Sequence, residues 1–254
     1  MRGSVTQRIT MQIIKPRFLP LSIARFVSML LPIACALCGR HNAGLLCGSC
    51  RQRYTTHTAA RCLRCAITVE AQRAICSQCV VQPPAYDASF CATDYAAPID
   101  SLVRALKFNA KLPLAAVFAE RIINAVPFAA VSDAGLIVAV PLSSQRLARR
   151  GFNQAHEIAR HIARSWQLPL ATAICLRVRD TEPQSSLPVS ERRGNMRSAF
   201  TLMRGDAIQG QHVLVVDDVM TTGETLRSFA ATLKRFGATR VTNLIFCAYT
   251  HALT

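Results

Sequence analysis

Acidic side chains are nearly missing from the first third of this chain. Between residues 1 and 86 only Glu70 is acidic, against eleven Arg and Lys. That imbalance excludes a charge-neutral surface there and suits a polyanionic partner such as nucleic acid. Lysine is also scarce, 4 residues against 26 Arg, a bias that genome composition alone can produce. Aromatic residues make up only 6% of the chain. Tyr54 alone lies among the clustered cysteines, which leaves no row of platforms for stacking single-stranded bases. Long apolar runs are absent too: none reaches the ~18 residues of a membrane helix, so no integral insertion is expected. What remains is a chain of 254 residues, 51% hydrophobic. That suffices for one mid-sized α/β domain and a small appendage.

The N-terminus carries Arg2, Arg8, Lys15 and Arg17 ahead of a moderately apolar stretch, Phe26–Ala36. A signal peptide has a similar outline. Here Arg25 and Pro32 interrupt it, and Pro32 stands where a lipoprotein signal before Cys35 wants Leu. The expectation is instead an amphipathic helix over Leu21–Leu31, within a basic segment 1–31 of a cytoplasmic protein.

Cysteine is the residue in excess. Of the eleven, eight form four CxxC pairs: Cys35/Cys38, Cys47/Cys50, Cys62/Cys65 and Cys76/Cys79. A CxxC turn presents two sulfurs to one tetrahedral ion, and two such turns complete a four-thiolate site. Gly39 and Gly48 suit the tight turns involved. The segment 32–84 is too short and polar to build a core, so metal would supply folding free energy. Disulfides would need an oxidising compartment, and redox CxxC pairs usually come singly. Two structural Zn2+ sites are therefore expected, with sequential and interleaved pairing both open. Their thiolates would lower the local charge excess of residues 1–86 to about +6. His41 and His57 read as surface residues; Cys91, Cys175 and Cys247, in apolar runs, read as small buried hydrophobes.

From residue 85 onward the pattern is α/β. Strands are predicted over Asp87–Asp94, Gly135–Val140, Thr172–Val178, His212–Val216 and Arg240–Tyr249. Helices are predicted over Pro98–Phe108, Leu112–Val126, Phe152–Trp166 and Thr225–Phe236, with a polar loop or flap over Asp180–Arg197. Such alternation gives a parallel sheet covered on both faces. Ligands of such sheets sit at the C-terminal ends of strands. The strand Val213–Val216 leads into Asp217 and Asp218, then Val219, Met220, Thr221, Thr222, Gly223, Glu224 and Thr225 at a helix start. Threonine hydroxyls and helix N-terminal amides suit a phosphate. Gly223 permits close backbone approach, and carboxylates can accept from a diol. Phosphate at one end and diol at the other describe a ribose 5-phosphate.

The string VLVVDDVMTTGET resembles the phosphoribosyl-pyrophosphate motif of type I phosphoribosyltransferases. Purine-type members usually carry an aspartate where this chain has Thr221, so the loop is closer to the orotate type. Arg150-Gly151-Phe152-Asn153-Gln154, Leu106-Lys107-Phe108 and the stretch Gln184, Leu187, Arg192, Arg193, Asn195, Ala199, Phe200 resemble the ComF family, linked to bacterial competence. The CxxC pairs match the N-terminal double zinc ribbon of that family.

The resemblance implies a phosphoribosyltransferase-like domain over 85–254. It also implies Mg2+ brought with phosphoribosyl pyrophosphate, or a related nucleotide, at 217–225. Arg146, Arg149, Arg150 and Lys107 are candidate cations for the leaving pyrophosphate, with Arg150 and Lys107 the catalytic candidates. No catalytic base is identified; His156 and His161 read as structural. Two functions follow. One is a transferase with an unnamed acceptor. The other is a nucleotide-sensing competence factor that meets single-stranded DNA or a DNA-uptake helicase.

Overall fold

The structure is a computed structural model, and it describes residues 33–55, 59–70, 72–172, 174–177, 199–203 and 205–249. The expected helix at 21–31, His57 and the flap at 180–197 lie outside the described residues.

Two small cysteine modules come first. The first holds a short antiparallel pair, β1 (Ile33–Ala34) and β2 (His41–Asn42), and helix α1 (Gly48–Thr55). The second holds an Arg61–Thr68 bridge and helix α2 (Ser77–Val81). The larger part follows as β3 (Ala88–Asp94), α3 (Ile99–Asn109), α4 (Leu114–Ala125), β4 (Leu136–Ala139), α5 (Ser144–Arg150), α6 (Gln154–Trp166) and β5 (Leu170–Ala171). Then come β6 (Cys175–Arg177), β7 (Phe200–Leu202), β8 (His212–Met220), α7 (Glu224–Arg235) and β9 (Arg240–Ala248).

The main sheet has the order β3-β9-β8-β4-β5, and every pairing in it is parallel. Val213 to Val216, on its central strand, are all almost fully buried, as a strand covered on both faces requires. One face packs against α3, α4 and α6, whose buried residues (Leu102 and Leu106, Phe118 and Ile122, Ile158 and Ile162) recur at helical spacing. The other face packs against α7 through Leu226, Phe229 and Leu233, and against the β6–β7 pair.

The structure corrects two expectations. The strand expected at 172–178 shortens to Cys175–Arg177 and pairs antiparallel with β7, outside the main sheet. Its place on the sheet is taken by the two-residue β5, too short to give a periodic signal. The segment after Pro141, for which no element is predicted, is helix α5, capped by Ser143, whose hydroxyl accepts from the Arg146 amide at 3.3 Å. The other corrected strand is β8, which runs on to Met220, so both aspartates lie inside the strand rather than after it. Pairing with the equally long β9 carries the strand through these polar residues.

The cysteine modules lie along β3, the edge strand. The Ser89 amide donates to the Leu63 carbonyl at 3.0 Å, and the Thr93 hydroxyl donates to the Tyr54 carbonyl at 3.0 Å. Arg61 pairs with Asp94, and Arg51 with Glu120. Covering an edge in this way removes a template for aberrant strand pairing. Two arginines of the basic first third are thus engaged in intramolecular ion pairs.

Candidate functional site

The eight paired cysteines gather into two groups, Cys35, Cys38, Cys47, Cys50 and Cys62, Cys65, Cys76, Cys79, each with its ligand atoms within 4.8 Å of one another. Pairing is therefore sequential. The Cys38 and Cys47 sulfurs are 3.7 Å apart, as are those of Cys65 and Cys76. Four sulfurs at about 2.3 Å from a tetrahedral ion would be about 3.8 Å apart. Backbone amides also aim at the sulfurs: Cys47 at Cys35 (3.4 Å) and Cys76 at Cys62 (3.3 Å). Burial opposes ionisation of Cys35, but amide donors outweigh it and bring its pKa down to about 6. Cys50, by contrast, is pushed up to about 12 by burial and by its neighbouring sulfurs. Without a cation the four thiols cannot all ionise, so the donor set fits a divalent soft-ligand metal such as zinc.

The second site lies at the C-terminal edge of the main sheet. After Met220 the chain turns through exposed Thr221 and Thr222 to Gly223, which has φ +74° and precedes α7. A Cβ there would sit 3.4 Å from the Tyr86 hydroxyl, and the left-handed φ itself disfavours any other residue. The Thr222 hydroxyl accepts from the Glu224 amide at 3.4 Å. Thr221, Thr222, Gly223, Glu224 and Thr225 thus form one turn, with the free amides of a twelve-residue helix behind it.

The two acidic residues differ in burial and in partners. Asp218 follows Val216 onto the face of α3 and α6, where it is 2% exposed. There the Lys107 ammonium lies 2.8 Å from its Oδ2, and the Gln154 amide donates to its Oδ1 at 3.4 Å. Asp217 is half-buried and accepts from the Asp218 amide at 2.9 Å. Burial, and then the neighbouring Asp218 charge, push Asp217 upward in pKa. Burial works against the Lys107 charge, yet Asp218 outweighs it and raises the Lys107 pKa.

Arg150, at the end of α5, reaches the same place. It donates through Nη1 to the Gln154 Oε1, and its guanidinium lies 5.5 Å from the centroid of the Phe108 ring. Gly151 ends α5 at φ +80°. Asn153 then caps α6, accepting from the Ala155 and His156 amides while donating to the Val140 carbonyl at 2.9 Å. Asn153 so fixes the start of α6 to the end of β4, and Gln154 turns inward.

Residues 147–252 match the family model of the phosphoribosyl transferase domain, and residues 26–80 that of the double zinc ribbon domain. The DNA utilization protein YhgH of Salmonella typhimurium is 33% identical over 207 residues, covering 80% of this chain and 89% of that protein. Competence protein F of Haemophilus influenzae is 28% identical over 206 residues, covering 77% of this chain and 87% of that protein. The chain belongs to the ComF family. Among solved structures, glutamine phosphoribosylpyrophosphate amidotransferase from B. subtilis, complexed with ADP and GMP, is 21% identical; it covers 54% of this chain and 26% of its own, with a TM-score of 0.35.

In this ComF-family protein the fold brings together Lys107, Arg150 and Asp218, three residues far apart in sequence. Asp217 and the 221–225 turn follow the same strand along the sheet edge. Arg149 is exposed and Arg146 half-buried on α5. His156 and His161 lie on α6. Cys91, Cys175 and Cys247 are buried, as small hydrophobes should be. No role for Gln154 or Phe108 was legible in the sequence. Both stand in the strings that resemble the ComF family, and Phe108 follows Lys107 directly. No described helix is long and apolar enough to cross a membrane.

Proposed function

We propose that the strand–turn–helix at 217–225 binds phosphoribosyl pyrophosphate, and that the protein serves DNA utilization or competence as a phosphoribosyltransferase-like factor. The observation that carries the reading is the turn itself: two exposed threonines, a left-handed Gly223 and helix N-terminal amides at the C-terminal end of an inner parallel strand. The 5-phosphate would take the Thr221–Thr225 turn, and Asp217 would accept from a ribose hydroxyl. Asp218 would join it once Lys107 moves off. Arg150 and Lys107 would then face the pyrophosphate and stabilise charge developing on the leaving group. Mg2+ carried by the pyrophosphate oxygens would neutralise part of that same charge.

The reading assigns 85–254 to the ligand-binding domain and 32–84 to a double zinc ribbon whose basic surface meets DNA or a helicase partner in the cytoplasm. The relatives named for DNA utilization and competence support that setting. Calorimetric titration of the full chain with phosphoribosyl pyrophosphate and Mg2+ tests the site. Wild type should bind, and Asp217→Asn should weaken binding by roughly tenfold, as loss of a charged hydrogen bond predicts. No binding by wild type would end the reading.

A second reading, a sensor rather than an enzyme, is favoured by one observation. Both candidate cations are held by the protein's own groups, Lys107 by Asp218 and Arg150 by Gln154. Ligand binding must rearrange them, which suits a response to ligand. Pyrophosphate release assayed with a panel of bases and amines separates the two: release marks a transferase, tight binding without release a sensor.

A further inference from the structure

The contacts around Asp218 form a closed circuit. Lys107 pairs with Asp218 Oδ2, and Gln154 Nε2 donates to Asp218 Oδ1. Gln154 Oε1 accepts from Arg150, and Arg150 lies over Phe108, the residue bonded to Lys107. The circuit joins α3, β8, α6 and α5 without passing through a ligand. Gln154 is its hinge, and it is 5% exposed.

The chemistry of the bridge is specific. A side chain between a carboxylate and a guanidinium must donate at one end and accept at the other. A glutamine amide does this while neutral. Glutamate would set a second carboxylate against Asp218, leucine would make neither bond, and asparagine is one methylene shorter. Helix α6 begins at Gln154, with Asn153 tied to β4, so its backbone has little freedom to compensate.

We infer that Gln154 is a positioning residue that couples Arg150 and Lys107 to Asp218. In that role it makes the site discriminate in favour of a ribose phosphate that also carries a pyrophosphate. The inference rests on the ribose-phosphate reading of the site. A pyrophosphate draws both cations toward itself. As Lys107 leaves, Asp218 Oδ2 becomes free for a sugar hydroxyl; as Arg150 leaves, Gln154 is freed from its outer partner and can strengthen its bond to Asp218. A ligand lacking the pyrophosphate, such as ribose 5-phosphate, meets Asp218 still held by Lys107. Occupation at the two ends of the ligand is then linked through Gln154.

The test compares two ligands, phosphoribosyl pyrophosphate and ribose 5-phosphate, each with Mg2+, by calorimetry on the full chain. Gln154→Leu should lower the preference for the pyrophosphate ligand by roughly tenfold, within the usual range of such couplings. Most of the loss should fall on the pyrophosphate ligand. Phe108→Leu, which removes an exposed ring from beneath Arg150 and leaves the core intact, should move the preference in the same direction by a smaller factor. It keeps the test open if Gln154→Leu folds poorly. Equal losses for both ligands would mark Gln154 as a merely structural residue and overturn the inference. So would an unchanged preference in a folded Gln154→Leu or, where that variant does not fold, an unchanged preference in Phe108→Leu. Failure of wild type to bind either ligand would instead refute the underlying reading of the site.

Discussion

Replacing Lys107 by Met should destabilise the protein markedly, and restoring neutrality at its partner should undo most of the damage. The ammonium sits 2.8 Å from the Asp218 carboxylate, with the Lys side chain 21% and the Asp side chain 3% exposed. At an effective dielectric of about 20, unit charges 2.8 Å apart attract by roughly 6 kcal/mol. Desolvation of both groups offsets much of this. What the single variant measures is different: it strands a buried carboxylate beside Asp217. Removing one partner of such a pair costs about 3 kcal/mol, against a total stability of about 5–15 kcal/mol. For a domain of this size the melting temperature should fall by about 6–12 °C. Lys107→Met/Asp218→Asn should recover most of it, because the stranded charge is gone.

Chemical and thermal denaturation of wild type, both single variants and the double variant close the cycle. The pH dependence has a definite sign. The folded pKa of Lys107 is raised, so its stabilisation is fully present below the unfolded value of 10.5 and is lost as pH rises through the higher folded value. The pair should therefore hold at neutral pH. A loss below about 1 kcal/mol in Lys107→Met, or a double variant as unstable as the sum of the singles, would refute a coupled buried pair.

Three further outcomes are expected. Metal analysis should give about two zinc ions per chain. A Cys38→Ser/Cys47→Ser variant should keep about one of them, because both cysteines belong to one group; loss of both would mean interleaved sites. Asp217→Asn should be stabilising although it weakens ligand binding. Its folded pKa is raised by burial and by Asp218, so its charged form costs stability increasingly as pH rises above the usual carboxylate range. The variant should melt about 2–4 °C higher at pH 8 than wild type and show a flatter pH profile; a lower melting temperature would refute this account. Gly223→Ala should cost about 1 kcal/mol or more from the left-handed backbone alone, and should weaken phosphate binding by turning the Thr221–Thr222 hydroxyls. Unchanged stability would show that the turn relaxes without strain.

The sequence alone settled a good deal. Continuous apolar runs such as 213–216 and 135–140 announced inner parallel strands, because a strand buried on both faces has no polar side to alternate with. Helical spacing announced the helices at 99–109, 114–125, 154–166 and 224–235 to within about two residues. The CxxC spacing announced metal, since a two-residue gap is what lets one turn offer two sulfurs to one ion. These signals are local, and a local signal survives in one dimension.

Other features needed the third dimension. Which CxxC pairs share an ion depends on where two turns meet in space, and the structure brings neighbouring pairs together. Two adjacent aspartates read alike in the sequence. The extension of β8 along β9 sets one in a buried ion pair and the other at the half-buried edge of the ligand turn. Lys107, Arg150 and Gln154 come from three different helices, and no periodicity links them. Only the packing of α3, α5 and α6 around the end of β8 joins them on one carboxylate. The parts and their chemistry are written in the chain, because propensity, spacing and side-chain type act over a few residues. The tertiary structure alone decided which charges neutralise one another, because Coulomb and hydrogen-bond partners are chosen by distance in space rather than distance along the chain.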